Sequence, residues 1–370
     1  MINISTLEES ERKTNVEASN NIFSELGKNT YDYKDLISEL IDNSIAARRN
    51  DRILNVTIDL YVDENAKPME FVIKDNASGI IPDRLGIAIS PAGVQSPESL
   101  NEHGLGMKQA IAALGKLKYL ATKTKDENKA RVILKFRFGE IPMYYSHEFD
   151  YDSGTEIAVA DLKPIVISNA TVITRSLIPY LGARYRRFLT PDNRIIDLTM
   201  NIKKHSTDEV LYSWNIKEVK PIYFHPSTRT NKPVIFKHPL SGEGWKAKLT
   251  FGYAPQVDEE YNELGVSSLN KFHPYFVSLS KQGIDIIRHN RVVLFHQLSE
   301  ISIISARHPD YNNIRGEIDL LEVFSTAITK NSIIMDEHFQ ECIDEVRKIL
   351  IGNKEINGKK KNYLKSKTYP

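Results

Sequence analysis

"SELIDNSIAA", residues 38–47, sets Glu39, Asp42 and Asn43 inside an otherwise apolar run. From Asp35 to Arg49 the spacing predicts a helix. At 100° per residue, Leu36, Ile37, Leu40, Ile41, Ser44 and Ile45 fall on one half of the wheel, and Glu39, Asp42, Asn43 and Ala46 on the other. Glu39 and Asn43 stand four apart, so their side chains stack one turn apart on one face. A carboxylate there can take a proton from water, and an amide oxygen can ligate a hard cation. Metal-assisted phosphate hydrolysis needs both. A solvated helix face would carry the same residue types.

Working outward, "NVTIDLYV" (55–62) and "EFVIKD" (70–75) read as strands. In "IKDNASGI" (73–80) Asp75 ends a strand and runs into a turn of small residues. Its carboxylate can accept from the exocyclic amine of a base, while Ala77 and Gly79 let the backbone approach a planar ligand. An ordinary strand and turn would look the same. A loop, "SPAGVQSPESLNEHGLG" (90–106), leads to a helix expected over "MKQAIAALGKL" (107–117). Gly104 and Gly106 leave backbone N–H groups free at that helix start and Lys108 adds charge, which makes an anion site or simply a helix cap. Neither the Walker pattern nor the dinucleotide fingerprint is present. Strands are expected again at "ARVILKFRF" (130–138), "MYYSHEF" (143–149) and "TEIAVADL" (155–162). Gly154 and Thr155 open the last of these, and a hydroxyl at Thr155 can support Asp75 or a bound base.

The texture changes after about residue 165. "TRSLIPYLGARYRRFL" (174–189) reads as a basic helix, strand-like pieces follow, and "DEHFQECIDEVRKIL" (336–350) reads as a last helix before a lysine-rich tail. Hydrophobic residues at 41% and charged ones at 26% place the chain among globular proteins. A net charge of +1 leaves any contact with nucleic acid to local patches. Cys342 is the only cysteine, which excludes an internal disulfide and thiolate-rich metal sites. The histidines lack metal-ligand spacing, and no Gly-x-Ser-x-Gly nucleophile pattern occurs. A polar start and the absence of a long apolar run predict a cytoplasmic protein without membrane contact.

Taken in order, Glu39/Asn43, Asp75/Gly79, Gly104/Gly106 and Gly154/Thr155 resemble the signature of the GHKL ATPases, the superfamily of gyrase-type topoisomerases, heat-shock chaperone ATPases, histidine kinases and MutL. The resemblance implies an α+β fold: a GHKL-type α/β sandwich ATPase domain followed by an α/β transducer domain. It implies ATP and Mg²⁺ as ligands. Glu39 would be the general base toward water and Asn43 the ligand to Mg²⁺. Asp75 would read the adenine amine, with Ala47, Gly79 and Ile80 beside the base and Thr155 in support. Gly104, Leu105, Gly106, Met107 and Lys108 would wrap the phosphates, and residues 83–103 would form a lid. Two positions depart from the pattern: Ala77 replaces the first glycine of the Asp75 motif, and Ala46 stands where many relatives carry an acid.

The second half resembles the transducer of MORC and MutL proteins, through "GIDIIRHNRVV" and "RGEIDLLEVFSTAITKNSIIMD". There Lys330 would be the lysine delivered to the γ-phosphate. The expected division is an N-terminal arm (1–30), an ATP-binding domain (31–165), a transducer-like domain (166–350) and a basic tail (351–370). The family layout implies homodimerisation on ATP binding around a clamped substrate, with partner proteins of the same system. The basic residues of 175–204 and of the tail point to DNA as that substrate. A chaperone-like clamp on protein and a nucleotide-binding scaffold without turnover are the alternatives.

Overall fold

The computed structural model describes residues 19–28, 31–91, 93, 100, 104–223, 235–255, 258–263, 274–326, 332–356, 358 and 360–366. The first half holds helices α1 (Asn21–Glu25), α2 (Tyr33–Ala46), α3 (Pro82–Ile89) and α4 (Gly106–Leu114). Its strands are β1 (Leu54–Val62), β2 (Pro68–Asp75), β3 (Lys116–Lys123), β4 (Ala130–Ile133), β5 (Tyr144–Ser146) and β6 (Gly154–Ala160). Short helices α5 (Ala170–Val172), α6 (Ile178–Arg184) and α7 (Arg186–Leu189) lead to β7 (Ile196–Lys204) and β8 (Val210–Ile216). Then come β9 (Phe236–Ser241), β10 (Lys246–Tyr253), α8 (Asp258–Glu263), β11 (Gly283–Arg288), β12 (Arg291–Gln297), β13 (Ile314–Glu322), α9 (Glu337–Leu350) and α10 (Tyr363–Ser366).

Two mixed sheets organise these elements. The larger has eight strands in the order β5-β4-β3-β6-β2-β1-β7-β8. All its pairings are antiparallel except β1 with β7, where Val56 stands opposite Leu198. Helices α2 and α4 lie together under this sheet. The apolar half of α2 drives that packing: Leu36, Ile37, Leu40, Ile41 and Ile45 are buried with Ile58, Leu60, Phe71 and Leu114 in one core. Asp32 caps α2 by accepting from the Asp35 N–H at 3.1 Å, so the helix starts at Tyr33, ahead of the expected Asp35, and it ends at Ala46 rather than Arg49. The smaller sheet has five strands, β12-β11-β13-β10-β9, and packs its own core against α9. Together these make the mixed α/β architecture expected of a GHKL-type sandwich domain with a second α/β unit.

Several expectations need correction. The boundary expected near residue 165 falls inside the larger sheet, because β7 and β8 complete it past β1. A parallel pairing between residues 142 apart leaves no local trace. The helix expected over 107–117 stops at Leu114, and Lys116 begins β3. Gly115 makes this abrupt change possible: a Cβ there would lie 2.4 Å from the Ala160 carbonyl oxygen. The strand expected over 130–138 ends at Ile133, where the next residues turn outward to solvent. The basic helix expected over 174–189 is broken into a widened turn at Ile173–Leu177, α6 and α7. "GIDIIRHNRVVLF" folds as the hairpin β11–β12, with His289 and Asn290 both at positive φ (50° and 64°), the geometry a tight two-residue hairpin turn requires.

The lysine-rich end is not a free tail: Ile356, Tyr363 and Leu364 are buried in the second core, and the Tyr253 hydroxyl donates to the Tyr363 carbonyl at 2.6 Å. Within the expected arm, residues 19–28 fold back on the same chain. Phe23 packs on Phe136 and Phe138, and the Phe138 N–H donates to the Asn20 side chain at 2.7 Å. No helix among the described residues is long and apolar enough to cross a membrane.

Candidate active site

A cleft opens between α2, the ends of β2 and β6, α3 and the N-terminus of α4. It is a concave, partly open site lined by residues of all these elements. Asn43, Ala47, Asp75, Ile80, Gly104, Met107, Lys108 and Thr155, all singled out in the sequence, line it. Leu40, Ser44, Ile73, Ala88 and Ile157 complete the wall and make it largely apolar. Four separated stretches of sequence thus converge on one concavity.

Asp75 sits at the bottom, 6% exposed. It ends β2 directly opposite Thr155 of β6, and three donors hold it. The Ser44 hydroxyl donates at 2.7 Å, the Ala77 N–H at 3.0 Å and the Thr155 N–H at 3.1 Å. Burial pushes the Asp75 carboxyl above its ordinary range, and these donors offset part of that rise. The expectation for Thr155 is therefore met by a different atom. Its backbone N–H supports Asp75, while its hydroxyl lies 3.2 Å from that of Thr122. Ser44, assigned to the apolar half of α2, and Thr122 are contributors that the sequence did not reveal. A buried hydroxyl reads as a small core residue until its partner is known.

The turn after Asp75 is fastened from outside. Thr122 accepts from the Ile80 N–H at 2.8 Å, and buried Arg131 donates to the Ile80 carbonyl. Gly79 has φ of 71°, and a Cβ there would stand 2.1 Å from the Lys123 carbonyl oxygen, so only glycine fits. Ala77 replaces a glycine of the motif without strain: it is buried, and Ser153 donates to its carbonyl at 2.7 Å.

At the other end, Glu39 is 1% exposed and lies where α2 meets the start of α4. A Cβ on Gly106 would come within 1.9 Å of the Glu39 carboxylate, so this glycine lets the helix N-terminus approach the acid. Glu39 does not itself line the cleft; Asn43, one turn on, does. The Asn43 side-chain nitrogen is buried without a hydrogen-bond partner among the described residues. Leu105 and Gly106 carry the loop into α4 beside Met107. Lys108 is 4% exposed and its ammonium is held by the carbonyls of Gly104, at 2.8 Å, and Ala88. It ties α3 to the start of α4, a role that the sequence did not suggest. A buried ammonium must find acceptors, and these carbonyls are within reach. Lys330 and lid residues 92, 94–99 and 101–103 lie outside the described residues.

Asp42, expected beside Glu39 and Asn43 on one polar face, points elsewhere. It is fully buried, accepts from the Tyr185 hydroxyl at 2.8 Å and pairs with Arg291 at 2.6 Å. The basic run behaves in the same way. Arg184 meets Asp35, Arg186 meets Asp285 and Glu317, and Arg187 meets Glu317 and Asp319. Arg194 meets Asp197, Lys203 meets Asp59, and Lys204 meets Glu64. From Arg184 to Lys204, the run expected to face phosphates is paired within the chain.

Among the described residues no group of three or more His, Cys, Asp or Glu could hold a metal ion. Mg²⁺ suits this site in another way. It is commonly bound through one or two protein oxygens and the phosphates of a nucleotide, and Asn43, whose side chain carries an amide oxygen, lines the cleft.

Residues 31–141 match the family model described as histidine kinase-, DNA gyrase B-, and HSP90-like ATPase. The match covers 111 of the 370 residues and spans α2 through β4. No curated protein matches the chain.

Proposed function

We propose that this protein is a Mg²⁺-dependent ATPase of MORC/MutL-like type. One observation carries the reading: Asn43, Asp75, Ile80, Gly104, Met107, Lys108 and Thr155, scattered over more than a hundred residues, line a single cleft. Asp75 accepts from the adenine amine, with its other lone pairs already held by Ser44, Ala77 and Thr155. Ile73, Ile80 and Ile157 flank the base. The free N–H groups at the start of α4 face the phosphates. Mg²⁺ supplies charge neutralisation at the triphosphate when bound, with Asn43 as its protein ligand. Glu39 takes the proton as a water oxygen attacks the γ-phosphorus; the bond to the bridging oxygen breaks, and ADP and phosphate leave. Lys330 is the proposed cation toward the γ-phosphate.

The MORC/MutL-like clamp, with a homodimer closing on ATP, rests on the order of motifs in the second half. Dimerisation that completes the site predicts a turnover rate that rises with protein concentration. DNA as the clamped substrate rests on the lysines near the C-terminus, since the basic residues of 184–204 are paired internally. A protein client is favoured by the exposed apolar edge of β8, where Val210, Leu211 and Tyr212 face solvent. DNA-stimulated hydrolysis supports the first substrate, and client-stimulated hydrolysis the second. The decisive measurement is phosphate release by wild type and Glu39→Ala. Loss of a positioned general base is expected to cost about 10²–10⁴-fold while ATP binding persists. Equal background release by two proteins that both bind ATP would replace the enzyme with a scaffold.

A further inference from the structure

The ion pair between Asp42 and Arg291 joins the helix that carries Glu39 and Asn43 to the second sheet. Asp42 lies between them in sequence, one position before Asn43 and three after Glu39. Its carboxylate is 0% exposed and the Arg291 guanidinium 2% exposed, with 2.6 Å between them. The Tyr185 hydroxyl reaches both Asp42, at 2.8 Å, and the Ser38 carbonyl, at 3.0 Å, which ties the same turn of α2 to the segment between α6 and α7.

On its own side Arg291 is placed by the backbone of the hairpin, while its Nε and second Nη are buried without a hydrogen-bond partner among the described residues. It opens β12 directly after the His289–Asn290 turn and stands opposite Arg288 in the hairpin. Arg288 in turn donates to the carbonyls of Leu320 and Leu321 at the end of β13. Neighbouring contacts repeat the link: Tyr180 of α6 packs on Phe295 of β12, with ring centroids 5.3 Å apart. Arg291 and Glu39 both act on the phenol of Tyr31. The phenol of Tyr31 is pushed up by burial and by Glu39, and is pulled back by Arg291.

Buried charges of this kind cannot part cheaply, because either one alone would be stranded out of water. A shift of the β11–β12 hairpin must therefore carry Asp42 with it, and α2 moves as a rigid element bearing Glu39 and Asn43. We propose that Arg291 is a positioning residue for hydrolysis: through Asp42 it sets the placement of Glu39 and Asn43 from the second sheet, so that the state of that sheet gates turnover. The proposal rests on the ATPase reading. Coupling of this sort is reciprocal, so nucleotide in the cleft must also change the hairpin.

The test uses the full chain and two variants. The double variant Asp42→Asn/Arg291→Gln removes both charges together and leaves neither stranded. Arg291→Lys keeps the compensating charge on a shorter, less directional head. The affinity of a non-hydrolysable ATP analogue, kcat, KM and hydrogen exchange are measured for each. The double variant is expected to bind the analogue within about threefold of wild type while kcat falls at least about tenfold, as displaced catalytic groups require. Arg291→Lys is expected to lie between, with affinity unchanged. Folded variants that keep the wild-type kcat, or that lose affinity with kcat intact, overturn the proposal. If wild type binds the analogue without hydrolysing ATP, the ATPase reading fails and hydrogen exchange decides the coupling. The analogue should protect amides of Gly283–Arg288 and Arg291–Gln297 in wild type and lose that effect in the double variant; equal protection in both overturns the link. A wild type that binds no nucleotide overturns both.

Discussion

The cleft beside α2 and the basic run from Arg175 to Lys204 are both rich in polar groups, and Asn43 in the one and Arg186 in the other stand in opposite states. In the cleft, the Asn43 amide nitrogen is buried without a partner among the described residues, and Asp75 sits under the opening. In the run, Arg186 has every nitrogen engaged: Glu317, Asp285, Tyr275 and the Ala183 carbonyl share them. Polar capacity left unsatisfied in a concave, water-poor place is costly unless a ligand completes it. Capacity satisfied across two elements instead fastens them together. The difference between a binding site and a structural joint therefore lies in partners, not in residue type.

Removing a joint should hurt stability most. Arg186→Ala leaves Asp285, with a side chain 2% exposed, without its cation at 3.1 Å and strips Glu317 of its closest one. Breaking a buried pair from one side is expected to cost about 3–5 kcal/mol, read as a lower denaturant midpoint. A loss under about 1 kcal/mol, the worth of a surface pair, would show that the run is not a joint. Crowding the site should hurt chemistry instead. Gly106→Ala places a methyl against the Glu39 carboxylate, which can swing away more easily than backbone can. The expected result is a folded protein with hydrolysis down about 10²-fold, the cost of a displaced catalytic group. Unchanged hydrolysis would mean that Glu39 acts from another position.

A pH experiment gives the smallest effect and sharpens the comparison. The Asp75 carboxyl is raised by burial, so the folded state holds its proton to higher pH than the unfolded state does. The stability it lends is full below the ordinary carboxylate range and declines as pH rises through the folded value. Asp75→Asn has no such proton to lose. Wild type should therefore gain stability relative to Asp75→Asn as pH falls from neutral toward the ordinary carboxylate range, measured by denaturant unfolding at each pH. A difference that does not vary with pH would place Asp75 in a wetter site than this one.

Local pattern carried much of the fold and of the candidate site. The period of α2, the last helix and the strands are read within a few residues of themselves. The chemistry-bearing residues around Asn43, Asp75, Gly104 and Thr155 were legible because their types suit a ligand and their order resembles one superfamily. What stayed hidden depends on distant partners. Ser44 looked apolar by position, yet donates to Asp75. Thr155 acts through its N–H because β6 lies in register with β2.

Asp42 was legible as an acid on a helix, but nothing within reach in the sequence showed whether it would meet a ligand or Arg291, 249 residues on. The same limit applies to the joining of β7 to β1 and to the closure of the basic run on acids of the second sheet. Helical and strand periodicity, caps and the glycine turns are short-range properties, set by sterics and by backbone hydrogen bonds between neighbours, and the amino-acid order alone determined them. Which charges are neutralised inside the chain and which are left for a ligand depends on how two sheets pack. Only the tertiary structure decided that, because electrostatic pairing is settled by distance in space and by the exclusion of water.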